Sequence, residues 1–314
     1  MRCRLLRSLA LVLAMLAVGL PVRADDASAI HVLAVPIDLY AGGYFALDQG
    51  FFKAAGLDVE ITTLANGGAV ATALAGGSGD VAATNLVSIA TAFERGVPLT
   101  VIAGGGLYST HAATTAVYVT KTSPLHTARD LEGKTISVAS LNDLATLGLK
   151  KWLTQNGADF KKVRMLELPY PEAIAGLAAG RIDAAMLTEP WATTARDAGD
   201  RLYAKPEDSI APEFNIGAWA TTRAWAQAHP DLVRRFAAAI YAAAKWANAH
   251  QDQSALILAK YAKSDPKQIA GMIRAPQSTD LTPAHVQPPL DAAYAFAQLD
   301  KPLTASDLIW DSGK

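Results

Sequence analysis

The segment LAAGRIDAAMLTEPW, residues 177–191, places the first constraint on the fold. Ile182 to Leu187 is a short apolar run bounded by Gly180 and Pro190, the pattern of a buried strand. It stops at Glu189-Pro190-Trp191: a carboxylate, a ring that fixes the backbone and a large flat aromatic. Such residues are poor core material. They suit the carboxyl end of a strand, where open α/β sheets bind ligands.

The same pattern occurs 103 residues earlier. LAGGSGDVAATN (74–85) and LAAGRIDAAMLT (177–188) share Leu, Gly and Asp at identical spacing, as Leu74, Gly77, Asp80 and Leu177, Gly180, Asp183. At that offset DVEITTLA (58–65) falls on KKVRMLEL (161–168), and IHVLAV (30–35) falls on GKTISV (133–138), strand on strand. Each copy reads strand, helix, strand, helix, strand, which builds a parallel sheet with right-handed crossovers. The Asp of each Gly-x-x-Asp turn is expected to hold backbone N–H groups where the chain re-enters the sheet. YFALDQGFFKAAG (44–56) reads as one helix closed by Gly56. HPDLVRRFAAAIYAAAKWANAH (229–250) reads as a helix with Phe236, Ile240, Ala243 and Ala247 on one buried face. Further helices are expected near 252–262, 266–273 and 286–299. TAVYVTKTSP (115–124) and 214–222 read as strands crossing between two lobes, a hinge.

The amino-terminal 24 residues read differently. Arg2, Arg4 and Arg7 precede the apolar run LALVLAMLAVGL (9–20), and PVRA gives a small-x-small site before Asp25. This is the pattern of a secretory signal peptide cleaved near Ala24, with an apolar run too short to span a bilayer comfortably. Of 28 Lys and Arg, the leader holds four, so the mature chain carries 24 against 29 Asp and Glu, a net charge of about −5. That balance argues against nucleic acid or an anionic membrane surface as partner. The single cysteine, Cys3, lies in the leader, which excludes disulfides and thiol chemistry from the mature protein. A soluble, exported, periplasmic monomer is expected.

ALDQGFFKAAGLDVEI (46–61), LAGGSGDVAATN, RDLEGKTISV (129–138) and LAAGRIDAAMLTEPW, in this order, resemble the periplasmic solute-binding proteins of ABC importers, nitrate/sulfonate/taurine class. That class shares its fold with binders of thiamine-pyrimidine precursors. The resemblance, over roughly residues 30–250, implies a two-lobed α/β periplasmic-binding-protein fold (type II) that closes on a small ligand and presents it to an inner-membrane ABC permease. The lobes expected are 25–118 with 216–314, carrying the carboxyl-terminal helices, and 119–215.

In such a fold the strand ends of both lobes face one cleft. The first lobe then offers Asp38, Tyr40 and Tyr44 after its first strand, Asn66 and Gly67 after its second, and Thr84 and Asn85 after its third. The second lobe offers Ser140, Asn142 and Asp143 before a helix, then Tyr170, Glu189 and Trp191. Each Ser, Asn or Asp here also fits an ordinary helix cap. Asp38, Asp143 and Glu189 face the cleft in this reading with no Lys or Arg among them, which favours a neutral or amine-bearing ligand, such as an amino-substituted heteroaromatic stacked on the aromatic residues. A sulfonate, taurine or nitrate held on helix N-termini is the alternative. Delivery of the ligand to a sensory receptor is another.

Catalytic patterns are missing. GGSGD lacks the spacing of a nucleophile elbow, and GKT (133–135) lacks the preceding Gly of a P-loop, since position 128 is Ala. AGGGLY (103–108) is no dinucleotide fingerprint, and the six histidines show no metal-ligand spacing. No enzyme activity, cofactor or metal is expected. Intracellular thiamine-pyrimidine synthases of the same fold, the enzymatic alternative, carry a cysteine cluster that this chain lacks.

Overall fold

The computed structural model describes residues 29–311, so the expected leader lies outside the described residues. The first part contains β1 (Ile30–Ala34), α1 (Gly42–Asp48), α2 (Phe51–Ala54), β2 (Val59–Thr63), α3 (Gly67–Ala75), β3 (Val81–Asn85), α4 (Leu86–Glu94), β4 (Leu99–Gly104) and β5 (Leu107–Ser109). The middle contains β6 (Thr115–Val119), β7 (Thr135–Val138), α5 (Leu144–Gln155), β8 (Arg164–Glu167), α6 (Tyr170–Ala178), β9 (Ala184–Thr188), α7 (Trp191–Asp197), β10 (Arg201–Ala204) and β11 (Glu213–Asn215). The last part contains β12 (Gly217–Thr222), α8 (Arg223–Ala228), α9 (Pro230–Ala249), α10 (Gln251–Ala262), α11 (Pro266–Ala270), α12 (Pro283–Ala295) and α13 (Ala305–Leu308).

The duplication seen in the sequence is a duplication of structure. β3 and β9, and likewise α3 and α6, begin and end 103 residues apart. Each lobe has a five-stranded sheet, in the orders β2-β1-β3-β12-β4 and β8-β7-β9-β6-β10. In each sheet four strands run one way, and the strand in the fourth place, β12 or β6, opposes them. The two Gly-x-x-Asp turns do the same work. Asp80 accepts from the His31 amide and Asp183 from the Thr135 amide, both at 2.8 Å, and each Asp amide returns a bond to the same residue's carbonyl at 2.8 Å. Each carboxylate thus ties its turn to the first strand of its copy.

Two sequence expectations require correction. The outward crossing between sheets is made not by 115–124 but by the segment just before β6, while the return is made by the start of the expected 214–222, ahead of β12, where β5 and β11 pair antiparallel. β6, expected to close the first lobe, is an interior strand of the second sheet between β9 and β10, and β12 lies between β3 and β4. Both are buried along nearly their whole length, and a strand so buried needs neighbours on both edges to satisfy its backbone. The helix expected over 44–56 is broken into α1 and α2 at Gly50, which adopts φ +76°.

The core follows the alternation of the strands. Val117, Val119, Ala184 and Met186 face one buried layer of the second sheet, while Ala116, Tyr118, Ala185 and Leu187 face the other. Phe236, Ile240, Ala243 and Ala247 of α9 are buried on the first sheet. α5 links the lobes: Leu144 and Leu147 join the first lobe's core, while Leu149 and Leu153 pack in the second. At roughly 1.5–3 kcal/mol for each buried leucine, that divided helix couples the two bodies.

Candidate functional site

The carboxyl ends of both sheets meet at two adjoining chambers that share lining residues. The outer one, of about 390 Å³, lies among Pro36 and Ile37 after β1, Asn66 after β2, Ala139 after β7, Tyr170 after β8, and Trp191 after β9. The inner one, of about 50 Å³, continues past Asn66, Ala139 and Tyr170 to Tyr40, Asn85, Asp143 and Glu207. The outer wall is mostly apolar and aromatic, with Tyr170 stacked on Trp191 at a centroid distance of 6.4 Å and 26° between planes. The inner wall mixes apolar residues such as Leu39, Leu144 and Ile216 with the polar groups of Asn66, Asn85, Thr115, Asp143, Thr188 and Glu207.

Helix starts place the inner residues. Asn66 caps α3, accepting the Ala69 amide at 2.8 Å; Asn85 caps α4 through the Ser88 amide at 2.9 Å; Asp143 caps α5 through the Thr146 amide at 2.9 Å. Thr84 lines neither chamber; its hydroxyl donates to the Gly67 carbonyl at 2.6 Å and holds that glycine at the inner wall. Tyr170 donates to Thr188 at 3.2 Å, and Thr188 pairs with Thr115 at 3.0 Å. The polar wall is therefore largely bonded to itself.

Of the residues singled out from the sequence, Tyr40, Asn66, Gly67, Asn85, Asp143, Tyr170 and Trp191 line the chambers. Others lie elsewhere. Ser140 accepts the Thr146 hydroxyl on its carbonyl, and Asn142 is exposed in a separate surface groove beside Gly68 and Ser88. Tyr44 is buried in the first lobe, its ring tilted against that of Tyr261 at a centroid distance of 4.7 Å and its hydroxyl bonded to Thr63.

The carboxylates depart most from the sequence reading. Asp38 is 1% exposed and turns away from the cleft. It binds Arg274 through Oδ1 at 2.8 Å and the Ala275 amide through Oδ2 at 2.6 Å. The reason is local: β1 ends at Ala34, Val35 to Ile37 form the wall, and Asp38 opens a tight helical turn pointing backward. Glu189 is fully buried and pairs with Arg196 at 2.7 Å, while also accepting the Thr193 amide and hydroxyl. Its peptide bond to Pro190 is cis.

Glu207, which the sequence reading passed over, takes their place. It is 1% exposed, and its Oε2 has no hydrogen-bond partner. Burial, together with the nearby charges of Asp143 and Asp208, pushes its carboxyl up to about 8. Asp143 is raised to about 6, mainly by enclosure, against the lowering effect of the Thr146 bonds. By surface area Asp143 is only half-buried, but that surface opens onto the inner chamber, so the enclosed environment decides its behaviour. Burial also raises Tyr40 and Tyr170, keeping both phenols neutral. No Lys or Arg lines either chamber among the described residues. No sequence signal singled out Glu207; the glycine inside α5, Gly148, marks a close approach, and only the structure shows that an added Cβ there would lie 3.3 Å from the Glu207 Cγ. Among the described residues no cluster of His, Cys, Asp or Glu is placed to hold a metal, and no helix is long and apolar enough to cross a membrane.

Comparison with known proteins gives this geometry a context. A family model described as NMT1/THI5 like matches residues 39–254. No curated protein matches the chain by sequence. The fold is similar to that of the alkanesulfonate-binding protein SsuA from Xanthomonas axonopodis pv. citri, solved bound to MOPS, at 22% identity and a TM-score of 0.76, covering 90% of this chain and 98% of that one. It is also similar to the periplasmic nitrate-binding protein NrtA from Synechocystis PCC 6803, at 14% identity and a TM-score of 0.71, covering 88% and 83%. The desulfurization enzyme DszB has the same fold at 16% identity and a TM-score of 0.65, covering 89% and 96%.

Proposed function

The chain belongs to the NMT1/THI5-like family, and from that premise we propose that it is the periplasmic solute-binding component of an ABC importer. It captures a small organic ligand between its lobes and delivers it to an inner-membrane permease. The ligand bears an amine on a planar, heteroaromatic body. The likeness to SsuA and NrtA supports the transport role and the periplasmic location. The lobes divide where β5 and β11 pair, and rotation about that ribbon opens and closes the cleft.

One observation carries the ligand class: Asp143 and Glu207 face the inner chamber with no basic residue on its wall. A sulfonate or nitrate placed there would add negative charge beside two carboxyl groups. Tyr170 and Trp191 offer flat surfaces to a ring. The decisive experiment is thermal melting of the purified protein against aminopyrimidines, polyamines, taurine, alkanesulfonates and nitrate. A ligand at about 100 times its dissociation constant adds about 2.7 kcal/mol, which moves the transition visibly. Amine-bearing planar compounds are expected to raise it; a response to sulfonates alone sinks the amine reading and leaves the binding role standing.

A second reading, catalysis on the same fold, draws on two carboxyls held at different protonation levels and on the likeness to DszB. It predicts that bound ligand is consumed. Binding without turnover predicts that the ligand is recovered intact.

A further inference from the structure

We infer that the inner chamber is a head-group site selective for a primary ammonium or an unsubstituted amidinium, with the ligand's planar body lying in the outer chamber against Tyr170 and Trp191. This rests on the amine-ligand reading above and adds to it an orientation and a rule of selectivity.

Three observations carry it. The first is size. The two chambers share Asn66, Ala139 and Tyr170, so one molecule can occupy both, but their volumes differ, about 50 Å³ against about 390 Å³. Since one water needs roughly 10–15 Å³ of such space, the inner end admits only a few non-hydrogen atoms. An ammonium or amidinium fits there, and a ring stays outside.

The second is the state of the polar wall. Asn66 and Asn85 are committed to helix caps, and Thr115, Thr188 and Tyr170 bond one another. Glu207 Oε2 is buried in the same wall without a partner. Glu207 holds a proton in the ligand-free chain, and once ionised its unpaired buried oxygen would cost more than any neutral group on that wall, so the ionised form needs an N–H donor. A primary ammonium or amidinium brings several N–H groups; a quaternary ammonium brings charge without any.

The third is the surrounding charge. Glu207 is faced by Asp143 from α5, by its neighbour Asp208, and by the phenols of Tyr40, Tyr108 and Tyr170. Asp143 is faced in addition by Glu167 and by Lys150, a single cation on its own helix. The cluster is short of positive charge. A cationic head supplies it and drives the proton held on Glu207 out to solvent.

The test is titration calorimetry of the purified protein with benzamidine, phenethylamine, trimethyl(phenethyl)ammonium and benzenesulfonate, in two buffers of different ionisation enthalpy. Benzamidine and phenethylamine should bind with proton release, and the trimethyl compound at least about ten-fold more weakly. Glu207→Gln should weaken benzamidine at least about ten-fold and abolish the proton release. Gly67→Ala gives a second handle, since its methyl would meet the Tyr40 hydroxyl at 3.3 Å and the Asn85 amide nitrogen at 3.2 Å and so narrow the chamber. Equal binding of the trimethyl compound, or indifference to both variants, overturns the head-group site while leaving an amine-binding protein in place. Binding of benzenesulfonate with no amine bound overturns both readings. Failure of all four probes to bind overturns the head-group site.

Discussion

Asp38 and Glu189 hold neighbouring residues of one strap from opposite lobes. Asp38, beyond β1, binds Arg274 and the Ala275 amide; Glu189, beyond β9, accepts the Ile273 amide at 3.3 Å. α11, which precedes the strap, is itself tied to the second lobe where Gln268 donates to Thr194. Two carboxylates that look in sequence like ligand contacts are instead fixtures that join the carboxyl-terminal segment to the cleft walls.

Asp38→Ala is therefore expected to act on stability. It strands Arg274, whose side chain is only 10% exposed, and removes the acceptor of the Ala275 amide. Breaking a buried pair from one side costs about 3–5 kcal/mol. Urea denaturation should show a lower midpoint with an unchanged slope. A loss of ligand affinity at unchanged stability would return Asp38 to the binding surface.

Glu189→Gln should cost less. It removes the charge facing Arg196, whose side chain is 31% exposed and can rehydrate, and keeps one oxygen for Thr193 while the bond from the Ile273 amide to the other oxygen is lost. A loss of about 1–3 kcal/mol is expected by the same denaturation. A loss as large as that of Asp38→Ala would show that the strap, rather than the ion pair, dominates at this position.

Trp191→Ala should leave the fold nearly intact and weaken the ligand. Trp191 is only half-buried and forms the open side of the outer chamber, with Tyr170 as its ring neighbour. Truncating an aromatic anchor of this kind costs about 1.4–2.8 kcal/mol, or roughly ten- to a hundred-fold in affinity. Calorimetry and thermal melting of the same preparation separate the two effects.

The pH dependence has a definite sign. Glu207 sits near 8 in the folded chain against an ordinary 4.5, and Asp143 near 6 against 3.8. The folded state thus holds protons that the unfolded state has already released. The stability that these two groups contribute to the ligand-free protein should be full below about pH 4, fall as pH rises through this window, and be lost above about pH 8. Glu207→Gln should flatten the upper part of that fall. Affinity for a cationic ligand runs the opposite way, rising as both groups ionise. Denaturation midpoints at about pH 5 and about pH 8.5, with and without benzamidine, test both slopes. A ligand-free protein more stable at the higher pH would contradict the assignment.

Sequence alone determined the repeat and its architecture. The offset of 103 residues, the strand alternation and the Gly-x-x-Asp turns are local patterns, and local patterns survive into the structure because backbone periodicity and turn chemistry act over a few residues. Strand-end positions also located Tyr40, Asn66, Gly67, Asn85, Asp143, Tyr170 and Trp191 at the chambers, since the end of a strand fixes where the next residues emerge. Tertiary structure decided the charges. Asp38 meets an arginine 236 residues away, and Glu189 meets one seven residues on, across the turn of α7. Glu207 reaches the inner chamber because a short helical turn packs on the glycine face of α5. A carboxylate's role depends on which cation lies within a few ångströms and whether water remains around it. Chain folding sets both, so the sequence shows which residues can carry charge, and only the packed lobes show which of them are buried unpaired at the cleft.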